Sequence, residues 1–318
     1  MSWALRHVTH RSPEAEKEAV LRFSGGDHAW ATRSRLESPW GTETYGLVAA
    51  FFQDRCVGTT SYTLSPRGQG ILSQVYTEPD FRNRGIARAT VGEAVETFRA
   101  HGARAVYLAS AKDWVQRLYR GFGFRFVGAM ARRHAFKLTL GPSGEDSVMF
   151  RSGQRAEIRP VADGDQAELT ALFNTPHPCL VKHYGLGCYL GSHFEGEFYV
   201  LRRQADRTGF RAIVLDGEEG VLGLGTIMPS LRRHEAHRGI LDLLVHPNYA
   251  RCAGDMLEAL QADDPLVALL VYIEESEEEK RRLFESTGYS RIARMERKLI
   301  IDGSPYCLNL FERSSPPA

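Results

Sequence analysis

The feature that most constrains the fold is a long-period duplication within the 318-residue chain. In the first half, apolar periodicity, helix caps and turn residues predict the order β, α, α, β, β, β, α, β, α, β, β. The second half runs through nearly the same order. Pro79 and Tyr119 are 40 residues apart, and their counterparts Pro247 and Phe284 are 37 apart. A repeat of this length indicates two domains of one fold, so we predict an α/β (α+β mixed-sheet) chain.

The boundary between the two halves is expected near Ser152. A polar stretch ends there, and the predicted strand AEIRPV opens the second series of elements. The chain is long for one compact domain and comfortable for two. We therefore expect a first domain over residues 1–152 and a second domain over residues 153–314.

Two closing hairpins and one further strand complete the predicted elements. In the first half, RFVGAMARRHAFKLTL is expected to pair with DSVMF, residues 146–150, across the turn GPSGE. The hairpin that closes the second half is expected to turn at Asp302-Gly303. EFYVLRR, residues 197–203, is predicted as a strand.

Composition excludes some classes of function. Lys plus Arg number 40 and Asp plus Glu number 39, and this balance argues against a dedicated nucleic-acid binder. Five scattered cysteines fit a reducing compartment better than a disulfide framework. The N-terminus lacks a signal pattern, and no apolar run approaches the roughly 20 residues that cross a bilayer. We expect a soluble cytoplasmic protein, monomer or homodimer, with no membrane partner.

The stretch RNRGIAR, residues 82–88, lies at the start of a predicted helix and follows the strand ILSQVYTEP. A helix start offers unpaired amides and the positive end of the helix dipole, which suits phosphate. Gly85 lets the backbone approach a ligand closely, where a Cβ would obstruct it. The residues therefore suit a pyrophosphate cradle, although a basic loop that caps a surface helix would look the same.

At this point the sequence resembles a known family. RNRGIA, residues 82–87, resembles the Q/R-x-x-G-x-G/A acyl-CoA signature of the GNAT (Gcn5-related) N-acetyltransferases. LYRGFGF, residues 118–124, resembles the LYxKxGF element of that family, and the order of elements matches over residues 4–150. The second half resembles the same fold more weakly. The resemblance implies two tandem GNAT-fold domains.

The resemblance also implies how acetyl-CoA is bound. The strand before the signature would splay from its neighbour, leaving backbone groups to pair with the pantetheine arm as an added strand would. The amides after it would take the pyrophosphate. Lys112, where the family often has asparagine, could reach a phosphate or be a solvated lysine. No metal is implied. The candidate cofactor residues are Val75, Tyr76, Thr77, Arg82, Asn83, Arg84, Gly85, Ile86, Ala87, Arg88 and Lys112.

Two residues are candidates for the chemistry. Tyr119 takes the place of the family's tyrosine acid, and a phenol of pKa about 10 can donate a proton to a leaving thiolate of pKa about 8.5. The alternative for Tyr119 is a half-buried tyrosine that packs its helix. A general base or a water chain must deprotonate the amine, and Glu78 is the carboxylate nearest the cofactor strand, although a carboxylate there can also be solvated or cap the following helix. Glu43 and Glu37 are weaker candidates.

The second half has the features of a degenerate copy. The counterpart of the signature is ARCAGD, residues 250–255, where the glycine is displaced and Asp255 would repel phosphate. Phe284 replaces the tyrosine and has no proton to give. We expect a structural role, or one in shaping the substrate pocket. HPCLVKHYGLGC, residues 177–188, has donors that zinc accepts in a non-standard spacing, and a loop is favoured. The acidic run at 274–279 is expected to be a solvated helix start.

These observations lead to one predicted function with alternatives. We predict an acetyl-CoA-dependent N-acetyltransferase in which the amine of a small molecule attacks the thioester directly in the first domain. One alternative keeps the cofactor and changes the reaction to O-acylation or to transfer of a longer acyl chain. The other is a non-catalytic acyl-CoA sensor. The residues do not identify the acceptor.

Overall fold

The computed structural model describes residues 3–130, 133–142, 144–189, 194–262, 266–301 and 303–314. The chain divides into two compact units. Unit 1 comprises Met1–Val127, Arg133–Glu145 and Ala162–Ala171. Unit 2 comprises Gly128–Arg132, Asp146–Val161 and Leu172–Ala318.

The first half of the chain alternates strands with helices and contains twelve elements within the described residues. In chain order these are β1 (Ala4–Val8), α1 (Glu14–Leu21), α2 (Gly26–Glu37), β2 (Thr44–Phe52), β3 (Arg55–Leu64), β4 (Gln69–Thr77), α3 (Ile86–Ala100), β5 (Ala105–Ser110), α4 (Asp113–Arg120), β6 (Arg125–Met130), β7 (Arg133–Thr139) and α5 (Glu145–Met149). A 3₁₀ turn, Pro79–Phe81, separates β4 from α3.

The seven strands of the first half form one mixed sheet in the order β1-β2-β3-β4-β5-β7-β6. β4 and β5 are parallel, and α3 is the crossover between them. α3 buries Val91, Val95 and Phe98 against the sheet, a spacing of three to four residues that places them on one helical face. The helix is followed by Gly102 at φ 73°, a conformation that glycine adopts readily.

The second half of the chain repeats this plan with one extra hairpin. Its elements are β8 (Ala156–Pro160), α6 (Asp165–Asn174), β9 (Val181–His183), β10 (Cys188–Tyr189), α7 (Gly196–Gln204), β11 (Arg211–Gly217), β12 (Val221–Pro229), β13 (Arg238–Val245), α8 (Ala253–Gln261), β14 (Ala268–Glu274), α9 (Glu278–Ser286), β15 (Ser290–Ile301) and β16 (Ser304–Ser314).

The second sheet has the same topology as the first. Its order is β8-β11-β12-β13-β14-β16-β15, and β13 and β14 are its parallel pair. Each strand therefore has a counterpart in the first sheet, and the added β9–β10 hairpin forms a small sheet of its own. The predicted mixed α/β class and the repetition of a GNAT-like sheet are confirmed.

Two of the predicted strands are helices. DSVMF lies in α5, so the closing hairpin of the first half is β6–β7, within the segment predicted as one strand. Asp146 lies in the first turn of α5, where the helix dipole favours acids. EFYVLRR lies in α7, whose buried Phe198 and Leu201 are three residues apart, a helical rather than a strand spacing. Residue 143 of the predicted turn GPSGE and Asp302 lie outside the described residues.

An ion pair is buried in unit 1. Arg35 of α2 donates from Nε to Oε1 of Glu43 at 2.5 Å, and the two side chains are 1% and 0% exposed. The guanidinium lies 3.8 Å from the ring centroid of Trp40 and donates to Gln166 at 2.6 Å. Removing one partner of such a pair leaves an uncompensated buried charge.

Unit 2 contains a second buried ionic cluster. Asp242 of β13 accepts from Lys280 of α9 at 2.5 Å, and the Nδ1 atom of His183 lies 3.4 Å from the same carboxylate. Burial lowers the pKa of His183 to about 4, so this imidazole is neutral near pH 7. Glu274 and Glu277 of the acidic run are also buried, so the prediction of a wholly solvated run was wrong.

Within the described residues, none of the helices combines the length and the apolar character that a bilayer crossing requires. All five cysteines are free thiols.

The Arg35–Glu43 pair yields a stability prediction. Arg35→Met should lower the free energy of unfolding by about 3–5 kcal/mol, because Glu43 remains buried and unpaired. The double variant Arg35→Met with Glu43→Leu should recover much of that loss. Arg33→Met is the control, since its ion pair with Glu18 is half exposed, and little change is expected. Urea unfolding of the four proteins measures the effect, and equal midpoints would contradict it.

Glu277 yields a prediction about pH. Burial raises the pKa of this carboxyl from 4.5 to about 7, so the folded chain holds a proton there that the unfolded chain has released. Stability should therefore fall as pH rises from 4.5 through 7. Glu277→Gln should stabilise the protein at pH 8 by on the order of 1 kcal/mol or more, and much less at pH 5.

The control for this prediction is Glu279→Gln, which removes an exposed acid two residues along the same run. Denaturant unfolding of the three proteins at both pH values gives the comparison. A Glu277→Gln variant whose advantage is the same at pH 5 and pH 8 would show that the effect is not protonation.

Candidate functional site

The parallel strands β4 and β5 separate partway along their length. They pair from Gln69–Ala105 to Ile71–Tyr107 and, in the part of the chain that the structure describes, no further. Gln74 has φ 50°, and the register between β3 and β4 shifts at the same place, which is a β-bulge. The bulge turns the end of β4 away from β5. The predicted residues Val75, Tyr76 and Thr77 all lie on this diverging segment.

The signature loop ends in an open helix start. Asn83 and Gly85 have φ values of 59° and 80°, and Gly85 is the N-cap of α3. Among the described residues, nothing would lie within 4 Å of a Cβ added at Gly85, and no side chain caps the helix. The first amides of α3 therefore face open space beside the diverging strand. An anion is the ligand that such a helix end binds.

Three arginines surround this helix start. Arg82 donates from Nε to the carbonyl of Thr77 at 3.2 Å, which ties the loop to the end of β4. Arg84 lies over the ring of Phe81, 5.2 Å from its centroid. Arg88, one turn into α3, lies 5.8 Å from the ring centroid of Phe122, so the signature and the LYRGFGF element are in contact. These side chains make the helix start electropositive.

Lys112 lies at the same edge of the sheet. It is the exposed N-cap residue of α4 and follows the carboxyl end of β5, as the signature follows the carboxyl end of β4. Because β4 and β5 are parallel, their carboxyl ends meet at one edge, which is where open α/β sheets bind ligands. The backbone amide of Lys112 donates to Oγ of Ser110 at 3.3 Å.

Tyr119 lies in the core beneath the splayed strands. It is 4% exposed, its ring centroid is 5.9 Å from that of Phe124, and it belongs to the hydrophobic cluster that includes Leu108 of β5. Val75 of β4 packs against the same cluster. The structure therefore brings Tyr119 close to both the predicted pantetheine strand and its neighbour.

The carboxylates proposed as bases are placed less favourably. Glu78 is 9% exposed and accepts from the guanidinium of Arg22 with one oxygen and from that of Arg55, at 2.6 Å, with the other. Glu43 is held by Arg35 in the buried ion pair. Glu37 is exposed at the end of α2. Two of the three carboxylates, Glu78 and Glu43, are therefore already ion-pair partners of arginines.

The sequence reasoning missed two polar groups beside the site. The side chain of Gln74 accepts from Ser24 and donates to Thr32 at 2.8 Å, which ties the bulge to the region of α1 and α2. Gln116 of α4 contacts His134 of β7 at 3.2 Å. Gln116 is three residues before Tyr119, so its place on the same helical face could have been found from the sequence.

Over its described residues, unit 2 has the same early end of pairing between its parallel strands but lacks the bulge and the left-handed N-cap of the first site. The β12–β13 register is continuous from Gly223–Val245 to Pro229–Gly239, so β13 has no bulge over its described length. Cys252, at the N-cap of α8, is right-handed, unlike Gly85, and Asp255 lies in the first turn. Asp242 lies two residues beyond the last β13–β14 pair. The gap that corresponds to the first site therefore holds the Asp242–Lys280 ion pair.

The donors at 177–188 have other contacts. His177 interacts with the carbonyl of Thr175 at 2.7 Å, and His183 belongs to the Asp242 cluster. In the described ranges, no three histidine, cysteine or acidic side chains come together as a metal-type group.

Comparison with known proteins identifies the first half. Residues 13–124 match the model of the acetyltransferase (GNAT) family. None of the curated proteins matches the chain significantly.

Many solved structures are similar to about half of the chain. A GNAT-family acetyltransferase from Streptococcus pneumoniae is 18% identical, with a TM-score of 0.42, and the match covers 51% of this chain and 100% of the other. The ribosomal-protein-alanine N-acetyltransferase from Brucella melitensis is 17% identical, with a TM-score of 0.41, and the match covers 50% of this chain and 99% of the other. The protein yncA from Salmonella typhimurium, solved with its cofactor acetyl-CoA, is 16% identical, with a TM-score of 0.43. That match covers 52% of this chain and 98% of the other.

The family match agrees with the geometry of the site, since the diverging strand has backbone groups that can pair with a pantetheine arm and the open helix start has amides that can bind a pyrophosphate. Acetyl-CoA-dependent acyl transfer is the general activity of this family. The match therefore makes residues 13–124 of this chain a GNAT acetyltransferase domain.

Proposed function

We propose that the protein is an N-acetyltransferase that transfers the acetyl group of acetyl-CoA to the amine of a small molecule, and that the reaction takes place in unit 1. The observation that carries the proposal is the early separation of β4 from β5 beside the open helix start at Gly85. The first feature offers backbone groups to a pantetheine arm, and the second offers amides to a pyrophosphate. In unit 2, β13 and β14 also stop pairing after three residues, but the gap there holds the Asp242–Lys280 ion pair and the described helix start lacks a left-handed glycine.

The binding roles follow from these placements. The backbone of Val75–Thr77 would pair with the amide groups of pantetheine. The amides of Asn83–Ala87 would hold the pyrophosphate, with Arg82, Arg84 and Arg88 supplying charge. Lys112 would also contact a phosphate of the cofactor, since it lies at the same edge of the sheet as the signature loop. The bound cofactor supplies an acetyl thioester, which a neutral amine can attack directly.

Tyr119 supports the chemistry. Its ring lies in the core beneath the diverging strands, where little water reaches, and a phenol hydroxyl there can donate to a developing thiolate. The chain contributes position and a proton, and no covalent enzyme intermediate is required.

A change at Gly85 tests the binding site. Gly85→Ala places a Cβ at a φ of 80°, which costs about 1–2 kcal/mol in that conformation and should distort the helix start. We expect the KM for acetyl-CoA to rise several-fold, with a smaller effect on kcat. The matched control is Gly254→Ala in unit 2, where the glycine has no positive φ and nothing described lies within 4 Å of an added Cβ. Equal KM values in wild type and Gly85→Ala would count against the assignment.

A change at Tyr119 tests the chemistry. Acetyl-CoA turnover would be measured with glucosamine, spermidine, L-phenylalanine, kanamycin and a peptide with a free N-terminal alanine. Tyr119→Phe should lower kcat by about 10²-fold on any acceptor that reacts, with little change in the KM for acetyl-CoA, because only proton donation is lost. The control is Tyr76→Phe, a tyrosine on the cofactor strand whose backbone is proposed to act.

The outcomes separate the alternatives. Full activity of Tyr119→Phe would show that this hydroxyl is not the acid. Acetyl-CoA binding without turnover on any acceptor would favour the non-catalytic sensor. Turnover with hydroxyl acceptors alone, or with longer acyl-CoA alone, would favour the other alternative.

A further inference from the structure

The proposed reaction needs a group that removes a proton from the amine, and the carboxylates near the cofactor strand are engaged. Glu78 is held by Arg22 and Arg55, and Glu43 is held by Arg35. A carboxylate whose oxygens already accept from guanidinium groups would have to give up such a contact to reach an acceptor amine. A different proton acceptor in unit 1 is therefore required.

A chain of hydrogen bonds at the end of β5 presents a histidine. Nε2 of Gln116 donates to the carbonyl of Ser110 at 3.4 Å. Oε1 of Gln116 lies 3.2 Å from Nδ1 of His134. Ser110 and His134 are also register partners at the end of the β5–β7 pairing. The glutamine is 5% exposed, so its amide is held in place by packing as well as by these contacts.

This chain selects the tautomer of the histidine. Because the amide nitrogen of Gln116 faces a carbonyl oxygen, its amide oxygen faces His134. An oxygen accepts, so Nδ1 must carry the proton and donate it. Nε2 is then left with a free lone pair, which is the arrangement of a base oriented by a third group.

His134 also lies on the side of the sheet where Tyr119 packs. His134 and Phe136 are two residues apart on β7 and share one face, and Phe136 belongs to the same cluster as Tyr119. Gln116 and Tyr119 are three residues apart on α4. His134 pairs with the last residue of β5, beyond the point at which β4 has diverged. The side chain is half-buried.

We propose that His134 is the general base of the acetyl transfer and that Gln116 is its positioning residue. This inference rests on the function proposed above. Nε2 takes the proton that the ammonium group of the acceptor must lose, and the freed lone pair forms the C–N bond as the C–S bond breaks. The electron pair of the C–S bond leaves on sulfur, which takes the proton of the Tyr119 hydroxyl.

The remaining protons balance. The second proton of the acceptor nitrogen restores the Tyr119 hydroxyl through solvent, and the imidazolium of His134 releases its proton to water. One proton is therefore released for each acetyl group transferred.

Among the described side chains, the direct contacts of His134 are with uncharged groups. From α4, Arg120 lies over the ring of Phe136 at 5.9 Å, and Gln116 is neutral. From β5, the register partner is Ser110. From β6, the neighbour is Phe126, with ring centroids 5.5 Å apart.

The test compares variants across pH with the best acceptor of the amine panel. His134→Ala should lower kcat by about 10²-fold near pH 7, with an unchanged KM for acetyl-CoA. The deficit should shrink as pH approaches the pKa of the acceptor amine itself, because the amine then arrives deprotonated. Gln116→Leu should lower kcat less, and Gln116→Glu should retain more activity because it keeps an acceptor oxygen for Nδ1.

His101→Ala is the matched control. This histidine is exposed at the end of α3 and contacts the carbonyl of Thr97, so its loss should leave kcat unchanged at every pH. Thermal shift with coenzyme A checks that each variant is folded and binds the cofactor. If His134→Ala does not fold, the pH profiles of the two Gln116 variants decide the question.

Two failures can be told apart. Wild-type protein that transfers acetyl to none of the amines overturns the proposed function and this inference with it. Active wild type with an unaffected His134→Ala variant, or with a deficit that is the same at all pH values, overturns the inference alone.

Discussion

The candidate site depends on the early end of the pairing between β4 and β5, beyond which β4 carries a bulge at Gln74. A parallel pair that continued to the end of both strands would satisfy its own hydrogen bonds and leave nothing for a ligand. Pairing with β5 ends at Ile71, the bulge follows at Gln74, and the rest of β4 leads to the helix start at Gly85. Ser24 and Thr32 bind the side chain of Gln74, so polar contacts with the first two helices hold the irregularity in place.

The second unit shows what the same topology does without that irregularity. β13 is regular, and the position beyond its last pair with β14 carries Asp242. A lysine from the helix that corresponds to α4 neutralises the carboxylate. Burying this pair costs desolvation energy that close contact and backbone amides offset. The two copies therefore use the same gap differently: one leaves it free for a ligand, and the other fills it with side chains of its own.

Much of this was accessible from the sequence because local patterns decide it. The glycine and arginines of RNRGIA predict an open, basic helix start, and the regular spacing of the apolar residues predicts most of the strands. The errors lie where the segment is short: DSVMF and EFYVLRR are rich in strand-forming residues, yet tertiary packing makes them helices. The ion pairs of Glu78 and the contact between Gln116 and His134 join residues 18 to 56 positions apart. No local pattern reports such contacts.

Helix α4 is two turns long and carries two polar side chains that the core encloses, Gln116 and Tyr119. Both are fixed to one short rigid body. A tilt of this helix that moved the phenol of Tyr119 would also move the amide of Gln116. The imidazole ring of His134, which contacts that amide, would be reoriented with it. The proposed acid, Tyr119, and the proposed base, His134, would then move together. Natural variation that accommodates a bulkier acceptor should therefore shift this helix as a whole instead of altering either side chain alone.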